Sequence, residues 1–354
     1  ASSCCTTKKA SAIITLCLKL IEKSHRLYCD KIKSFTGYNF MWIIENSMEV
    51  HNCFPKKKAK NVSTYDFSTL YTSIPHEQLI EKITQVITKA FTGCQFVKVN
   101  KYQASWTNTK STKGLYFDCQ GLVKLVAWLI DNTYVTIGDS IFKQVVGIPM
   151  GTDCAPFLAN LFLYAYEFEW LNNLLKQKKY TILNKFKRCC RYIDDLLTIN
   201  NDNLMKVHKS KIYPPELKLT SEDKKETEAN FLDLHLQIQD EKLTYKLFDK
   251  RDHFDFHIVN FPNLSGNIPT NQSYGVFLAQ LVRYARCCQK FSDFQQRTNK
   301  LVERLVKQKF LLYKLQAIDK NKFCKKFQYL IKHYGSEIES WTPDCVLTVQ
   351  TEEV

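Results

Sequence analysis

The sequence predicts an α+β protein, and three observations carry that prediction. Short β-type runs such as "VSTYDF", "CRYI" and "LLTI" alternate through the middle of the chain with apolar segments of helical period. The C-terminal part reads as helix throughout, roughly at 272–290, 293–315 and 318–333. A chain of 354 residues with 45% hydrophobic content can bury two or three packed subdomains and is not disordered.

Taken in order, "SAIITLCLKLIEKSHRLYCDKI" spaces its apolar residues as an amphipathic helix. The proline and lysines of "NCFPKKKAK" break the chain near 55–60. "NVSTYDFSTLYTSIP" opens as a strand at Val62–Phe67 and turns at Ser73–Pro75 into the helix "HEQLIEKITQVITKAF". Residues 93–114 read as a polar surface insertion. A strongly apolar helix, "CQGLVKLVAWLIDNTYV", precedes a β pair with Gly138-Asp139 at its turn. The helix after "GIPMGTDCAP" is expected to be capped by Thr152 or Asp153, with Pro156 tolerated in its first turn. Its apolar stripe is Phe157, Leu161, Ala165 and Phe168, with Leu158 and Phe162 beside it. After a hairpin around Asp194 come a helix near "NDNLMKVHKSKI", a strand "ELKLTSE" and a strand "NFLDLHLQIQD".

Fifty Lys+Arg against 35 Asp+Glu give a net charge of +15, which suits a polyanionic partner. The excess is densest between Arg283 and Lys332, where acids are few; solvated helix faces usually mix signs. The 14 cysteines include three adjacent pairs but no CxxC and no zinc-finger spacing. Reduced thiols in an intracellular protein, nuclear or cytoplasmic, are the expectation. No run approaches the roughly 18–20 apolar residues of a membrane span, so no membrane partner is expected. The N-terminus lacks an initiator Met and a signal-peptide layout, which reads as a fragment boundary.

The adjacent acids Asp194 and Asp195 in "RCCRYIDDLLTIN" raise the question of function. Two neighbouring carboxylates repel unless a cation sits between them, although a hairpin tip also accepts Asp as an ordinary turn former. A third acid, Asp66, ends the strand at Val62–Phe67, and Tyr71 lies five residues on. A glycine-containing loop opening a helix lies between Asp66 and the Asp-Asp pair. Nucleotide polymerisation needs these parts: carboxylates on neighbouring strands to hold two metal ions, and a loop free of bulky side chains beside the nucleotide.

Several motifs carry a resemblance to reverse transcriptases. "YDFSTLYTSIP" resembles motif A, "GIPMGTDCAPFLANLFLYAYE" motif B and "RYIDDLLTI" motif C. "PPELKLTSEDKKETEANFLDLHLQI" is similar to motif D and the segment before the thumb. The form of motifs A and B is similar to Penelope-like element reverse transcriptases, relatives of telomerase. The resemblance implies a right-hand polymerase: partial fingers at 1–60, a palm with an antiparallel sheet at 61–245, and a basic helical thumb and tail at 246–354. It implies extension of a DNA primer on an RNA template with dNTPs and two Mg²⁺ ions, for which Mn²⁺ can substitute. Asp66 and Asp194 would ligate the metals, with Phe67 offering its carbonyl and Asp195 in support. Tyr71 would exclude a 2′-hydroxyl, while Pro149, Met150 and Gly151 would line the nucleotide site. Lys218 would touch the pyrophosphate, with Lys224 and Lys225 as rivals. Arg283, Arg286, Lys307, Lys309 and Lys314 would hold the duplex backbone. Fingers motifs upstream of motif A are expected to be truncated, and a GIY-YIG endonuclease pattern is absent after Lys332.

The competing expectation is a catalytically inactive, truncated reverse-transcriptase-like protein that binds nucleic acid. Retention of Asp66, Asp194, Asp195 and Tyr71 argues against it. An RNA-dependent RNA polymerase is disfavoured because it needs a small or polar residue where Tyr71 stands.

Overall fold

The computed structural model describes residues 6–221, 225–256, 261–316 and 334. The helix expected at 318–333 lies outside them, as does Lys224. The chain divides into two compact units, Ala1–Glu226 and Thr227–Val354. Residues 227–245, placed with the palm from sequence, fall in the second unit.

In the first unit, helix α1 (Lys8–Thr36) buries Ile14, Cys17, Leu18, Ile21, His25 and Cys29, a three-to-four-residue repeat along one face. It stops at Gly37, whose φ of +75° lets its N–H reach the Lys33 carbonyl at 2.8 Å. Strand β1 (Val62–Phe67) leads through the single turn α2 (Leu70–Ser73) into α3 (His76–Ala90). The insertion at 93–114 is not featureless: it holds β2 (Phe96–Val99) and β3 (Ala104–Thr107), which form a three-stranded sheet with β4 (Leu115–Phe117) just after it. Helix α4 (Cys119–Asp131) follows, capped by the Asp118 carboxylate on the Gly121 N–H at 2.7 Å. The hairpin of β5 (Tyr134–Ile137) and β6 (Ser140–Lys143) turns at Gly138-Asp139 as expected.

Helix α5 (Ala155–Lys176) corrects two expectations. Neither Thr152 nor Asp153 caps it: the residue before it is Cys154, and the Thr152 hydroxyl instead donates to the Pro149 carbonyl at 2.9 Å. Nor is its apolar face a single stripe, because Leu158 through Tyr164 are all buried. After α6 (Tyr180–Lys185) come β7 (Cys189–Tyr192), β8 (Asp195–Ile199), α7 (Leu204–Ile212) and β9 (Leu219–Ser221). The main sheet has the order β7-β8-β1-β9, and these strands pair antiparallel. α1, α3, α4 and α5 share one hydrophobic core with the sheet.

The second unit starts with a meander of β10 (Glu228–Phe231), β11 (Leu234–Gln239) and β12 (Lys242–Leu247). The single strand expected for "NFLDLHLQIQD" is thus two strands, because Leu232 takes a positive φ of 53° and turns the chain. Helices α8 (Thr270–Cys287), α9 (Phe291–Lys307) and α10 (Leu312–Gln316) complete the described part. Cys17, Cys29, Cys53, Cys154, Cys189, Cys190, Cys287 and Cys288 are buried and form no disulfide among the described residues. No helix among the described residues is long and apolar enough to cross a membrane.

One ion pair organises the first unit's interior. Arg191 on β7 and Glu167 on α5 are both completely buried, with Nε donating to Oε1 at 2.6 Å and Nη2 to Oε2 at 3.2 Å. Nη1 donates to Asn160 Oδ1 at 2.9 Å and to the Ile193 carbonyl at 2.7 Å, and Nη2 to the Asn160 carbonyl at 3.1 Å. Every guanidinium N–H therefore has an acceptor. Tyr213 donates its hydroxyl to Glu167 Oε1 at 3.0 Å and packs its ring edge-on against Phe67, centroids 4.8 Å apart. Removing one partner of such a pair leaves a buried charge uncompensated. Glu167→Ala should therefore lower unfolding stability by about 3–5 kcal/mol in urea titrations, and Glu167→Gln by less because its amide oxygen still accepts. A loss below about 1 kcal/mol for Glu167→Ala would show that the pair does not hold the fold together.

Candidate active site

The C-terminal end of β1 and the β7–β8 turn bring the three acids to one end of the main sheet's strands. Asp66 is directly opposite Asp195 in the β1–β8 register, and the Phe67 N–H donates to the Asp194 carbonyl at 3.3 Å. That bonding pattern makes Asp66 and Asp195 a non-hydrogen-bonded pair, the antiparallel position where facing side chains come closest. Like charges directly opposite one another repel, and a cation between them would offset that repulsion. Asp194 occupies the second position of the two-residue turn, after Ile193. Ile193 has a φ of +53°, a strained conformation for a β-branched side chain, and its carbonyl is held by Arg191.

No ready-made group of three or more His, Cys, Asp or Glu ligands occurs among the described residues. The donor set nonetheless fits a hard divalent cation. Mg²⁺ keeps several waters and is held by one or two carboxylates together with substrate phosphates, not by an all-protein cage. Asp66, Asp194 and Asp195, all partly exposed, offer oxygen donors of that kind.

Tyr71 stands in the turn α2, half-buried. Burial, the Asp194 carboxylate and the Tyr192 phenol push its pKa up to about 12, which keeps the phenol protonated at neutral pH and places it within the field of Asp194. The motif B loop docks on the same turn. Ile148 N–H donates to the Tyr71 carbonyl at 2.8 Å, and Gly147 N–H to the Ile74 carbonyl at 2.7 Å. His76 Nε2 donates to the Gly147 carbonyl at 2.9 Å. Pro149 is buried, whereas Met150 is 70% exposed and Gly151 is exposed with a φ of +87°. Lys218 lies beside motif A, since its carbonyl accepts from Ser68 N–H at 3.3 Å, and its side chain is exposed. Lys225 adjoins Glu226, whose carbonyl accepts from Val62 at the opposite end of β1.

The basic residues of the second unit separate into two groups. Arg283 is half-buried and donates to Asp233 at 2.5 Å, so its charge is neutralised within the unit. Arg297 and Arg304 likewise turn to Asp252. Arg286, Lys307, Lys309 and Lys314 are exposed, the last with its ammonium 5.7 Å from the centre of the Tyr274 ring.

Sequence reasoning singled out Met150 and Gly151 but missed Gly147, His76 and the group around Arg191. Glu167 had a signal: it lies seven residues after Asn160 in the mostly apolar first part of the helix, so the two polar side chains share one face. Gly147 had none, because its need for glycine comes from the distant turn it touches. At φ +91°, a Cβ on Gly147 would lie 2.3 Å from the Tyr71 carbonyl oxygen, whereas one on Gly151 would meet nothing within 4 Å. Gly147→Ala should therefore detach the loop and expose it to limited proteolysis, while Gly151→Ala, carrying backbone strain alone, should leave it protected. Equal cleavage of the two variants would show that the close approach is immaterial.

A sequence profile of the family described as reverse transcriptase (RNA-dependent DNA polymerase) matches residues 4–261. No curated protein matches the chain by sequence. A solved structure of telomerase from Candida albicans, in complex with a TWJ fragment of telomeric RNA, is similar over 93% of this chain and 53% of that chain. Its TM-score is 0.56 at 12% identity, a likeness of fold. A structure of apo telomerase from Candida tropicalis is similar over 91% of this chain and 55% of that one, with a TM-score of 0.48 and 12% identity. The chain thus spans about half the length of these solved chains.

Proposed function

Because the chain belongs to the reverse transcriptase (RNA-dependent DNA polymerase) family, we propose that it extends a DNA primer 3′-hydroxyl on an RNA template with dNTPs. The observation that carries this reading is the facing pair Asp66–Asp195 beside the turn residue Asp194, with Tyr71 in the same electrostatic field. The Penelope-like form of motifs A and B supports a retroelement origin, and with it an intracellular, nuclear or cytoplasmic, setting.

In this proposal Asp66 and Asp194 hold the metals together with the Phe67 carbonyl, and Asp195 supports them. Bound Mg²⁺ supplies Lewis-acid stabilisation of the charge that develops on the entering and leaving oxygens. The protein's own residues do the remainder. Tyr71 closes the site under the sugar and, as a neutral phenol, adds no charge beside the triphosphate. The loop at 147–151, fixed to Tyr71 by hydrogen bonds, gives the incoming nucleotide a wall without long side chains apart from Met150. Lys218 meets the pyrophosphate in this proposal, a role that its position beside motif A supports, whereas Lys225 lies next to the opposite end of β1. The second unit serves as the thumb, where Arg286, Lys307, Lys309 and Lys314 hold phosphates while Arg283 is structural.

Asp66→Asn and Asp194→Asn should each lower primer extension by roughly 10³-fold or more, since several kcal/mol of charge stabilisation are at stake. Asp195→Asn should be milder. Without Mg²⁺, Asp66→Asn and Asp195→Asn should melt no lower than the wild type, because each removes a facing charge worth up to about 1 kcal/mol of repulsion. Thermal melts with and without Mg²⁺ check this. Retained extension in Asp194→Asn, with lost stability and an unchanged Mg²⁺ response, would make these acids ordinary turn residues.

Tyr71→Ala should raise incorporation of rUTP relative to dTTP while leaving primer binding unchanged, because the ring no longer blocks the 2′ position. A soluble, folded variant with the wild-type sugar preference would remove Tyr71 from this role.

A further inference from the structure

The first unit also contains a cleft of about 660 Å³ between one face of α1, the start of α5 and the β7–β8 turn. Lys19, Glu22, Lys23 and Arg26 line it from α1, at positions that share a helix face. Phe157 lines it from α5, and Tyr192 and Ile193 from the turn that carries Asp194.

Glu22 is the unusual group here. It is only 6% exposed, and its Oε1 accepts from Arg26 Nη2 at 3.3 Å, yet its Oε2 has no hydrogen-bond partner. Arg26 is already engaged elsewhere, donating to the Ile43 carbonyl at 3.3 Å and reaching Glu45 and Glu49 at 3.7 and 3.6 Å. A buried acceptor without a donor is costly, so this oxygen marks a place where a ligand can supply the donor.

The rest of the cleft indicates what carries that donor. Lys19 and Lys23 are exposed, stand one helical turn apart, and have no ion-pair partner among the described residues; the Lys19 ammonium lies 5.5 Å from the centre of the Phe157 ring. Two free cations at that spacing suit a phosphodiester strand, but a carboxylate between them repels phosphate and must meet a hydroxyl or amino group. The sugar-phosphate backbone of DNA offers no such donor. That of RNA offers a 2′-hydroxyl at every nucleotide.

We propose that this cleft holds the backbone of the RNA template strand, with phosphates on Lys19 and Lys23 and a 2′-hydroxyl donating to Glu22 Oε2. Glu22 is then a specificity-determining residue that distinguishes an RNA from a DNA template. Because Tyr192 and Ile193 form one wall, the ribose it reads lies within a few nucleotides of the primer end. The inference rests on the polymerase reading for the identity of the strand, but ribose recognition can be measured without catalysis.

The test is primer extension by the wild-type chain on RNA templates carrying one 2′-deoxy nucleotide, moved stepwise away from the primer end. One position should lower kcat/KM by about tenfold, the worth of one hydrogen bond to a charged acceptor. That dependence should vanish in Glu22→Met and persist in Glu22→Gln, which keeps an acceptor oxygen. Fluorescence anisotropy with oligo-rA and oligo-dA provides the second arm, where wild type should favour rA and Glu22→Met should not. Extension without any sensitive position, or sensitivity to the base and not the sugar, would overturn the inference and leave the polymerase reading standing. Absence of extension on every template, with rA preference that depends on Glu22, would support ribose recognition and defeat the polymerase reading. Absence of both would overturn the inference as well. Should Glu22→Met fail to fold, the 2′-deoxy scan on the wild type decides alone.

Discussion

The contact between Arg191 and Glu167 ties together the elements on which the carboxylate site depends. A fully buried ion pair gains little over well-packed apolar side chains, because two desolvation penalties oppose the attraction. Its value here is positional. Arg191 joins α5 to the main sheet through Glu167 and Asn160, and holds the turn through the Ile193 carbonyl. Slipping β7 by one residue would carry the guanidinium to the opposite face and leave two buried charges without partners. The pair therefore fixes the register that sets Asp194 at the turn and Asp195 across from Asp66. Tyr213 extends the constraint to Phe67, so both strands that bear acids refer to the same buried group.

A second constraint fixes the distance between motif A and motif B. The loop at 147–151 is joined by backbone hydrogen bonds to the turn carrying Tyr71, and Gly147 permits the approach because it has no Cβ. The site is thus assembled from strand ends and turns held by backbone and buried side chains, while Asp66, Tyr71, Asp194 and Asp195 remain partly open to solvent. Facing carboxylates raise the energy of the metal-free state; a bound cation would lower it. On the proposed reading, repulsion between facing carboxylates favours metal capture.

Much of this was legible in the sequence because it is local. Helix α1, strand β1, the Gly138-Asp139 hairpin and the Asp194 turn follow from period and turn chemistry within a few residues. The alternation of strands and helices sufficed for the α+β class, which the structure and its likeness to telomerase bear out. What escaped was decided by distant partners. "NFLDLHLQIQD" reads as one strand because nothing about Leu232 announces a positive φ. The polar composition of 93–114 hid two short strands, β2 and β3, which form a small sheet with β4 just beyond it. In the basic C-terminal region, counting Lys and Arg could not separate Arg283, neutralised by Asp233, from exposed Lys307 and Lys309. Nothing in the sequence sets Glu22 apart from the other charges of its amphipathic helix; only the fold shows that it is buried with an unmet acceptor.

On the proposed reading, these acids belong to a working RNA-templated polymerase site. Single-nucleotide extension by the wild-type chain tests it most directly, with an oligo-dT primer on poly-rA, dTTP, and Mg²⁺ present or chelated. Addition of dTMP should require Mg²⁺ and exceed addition of UMP. A folded protein that binds the primer–template yet adds no nucleotide with Mg²⁺ or Mn²⁺ would contradict it.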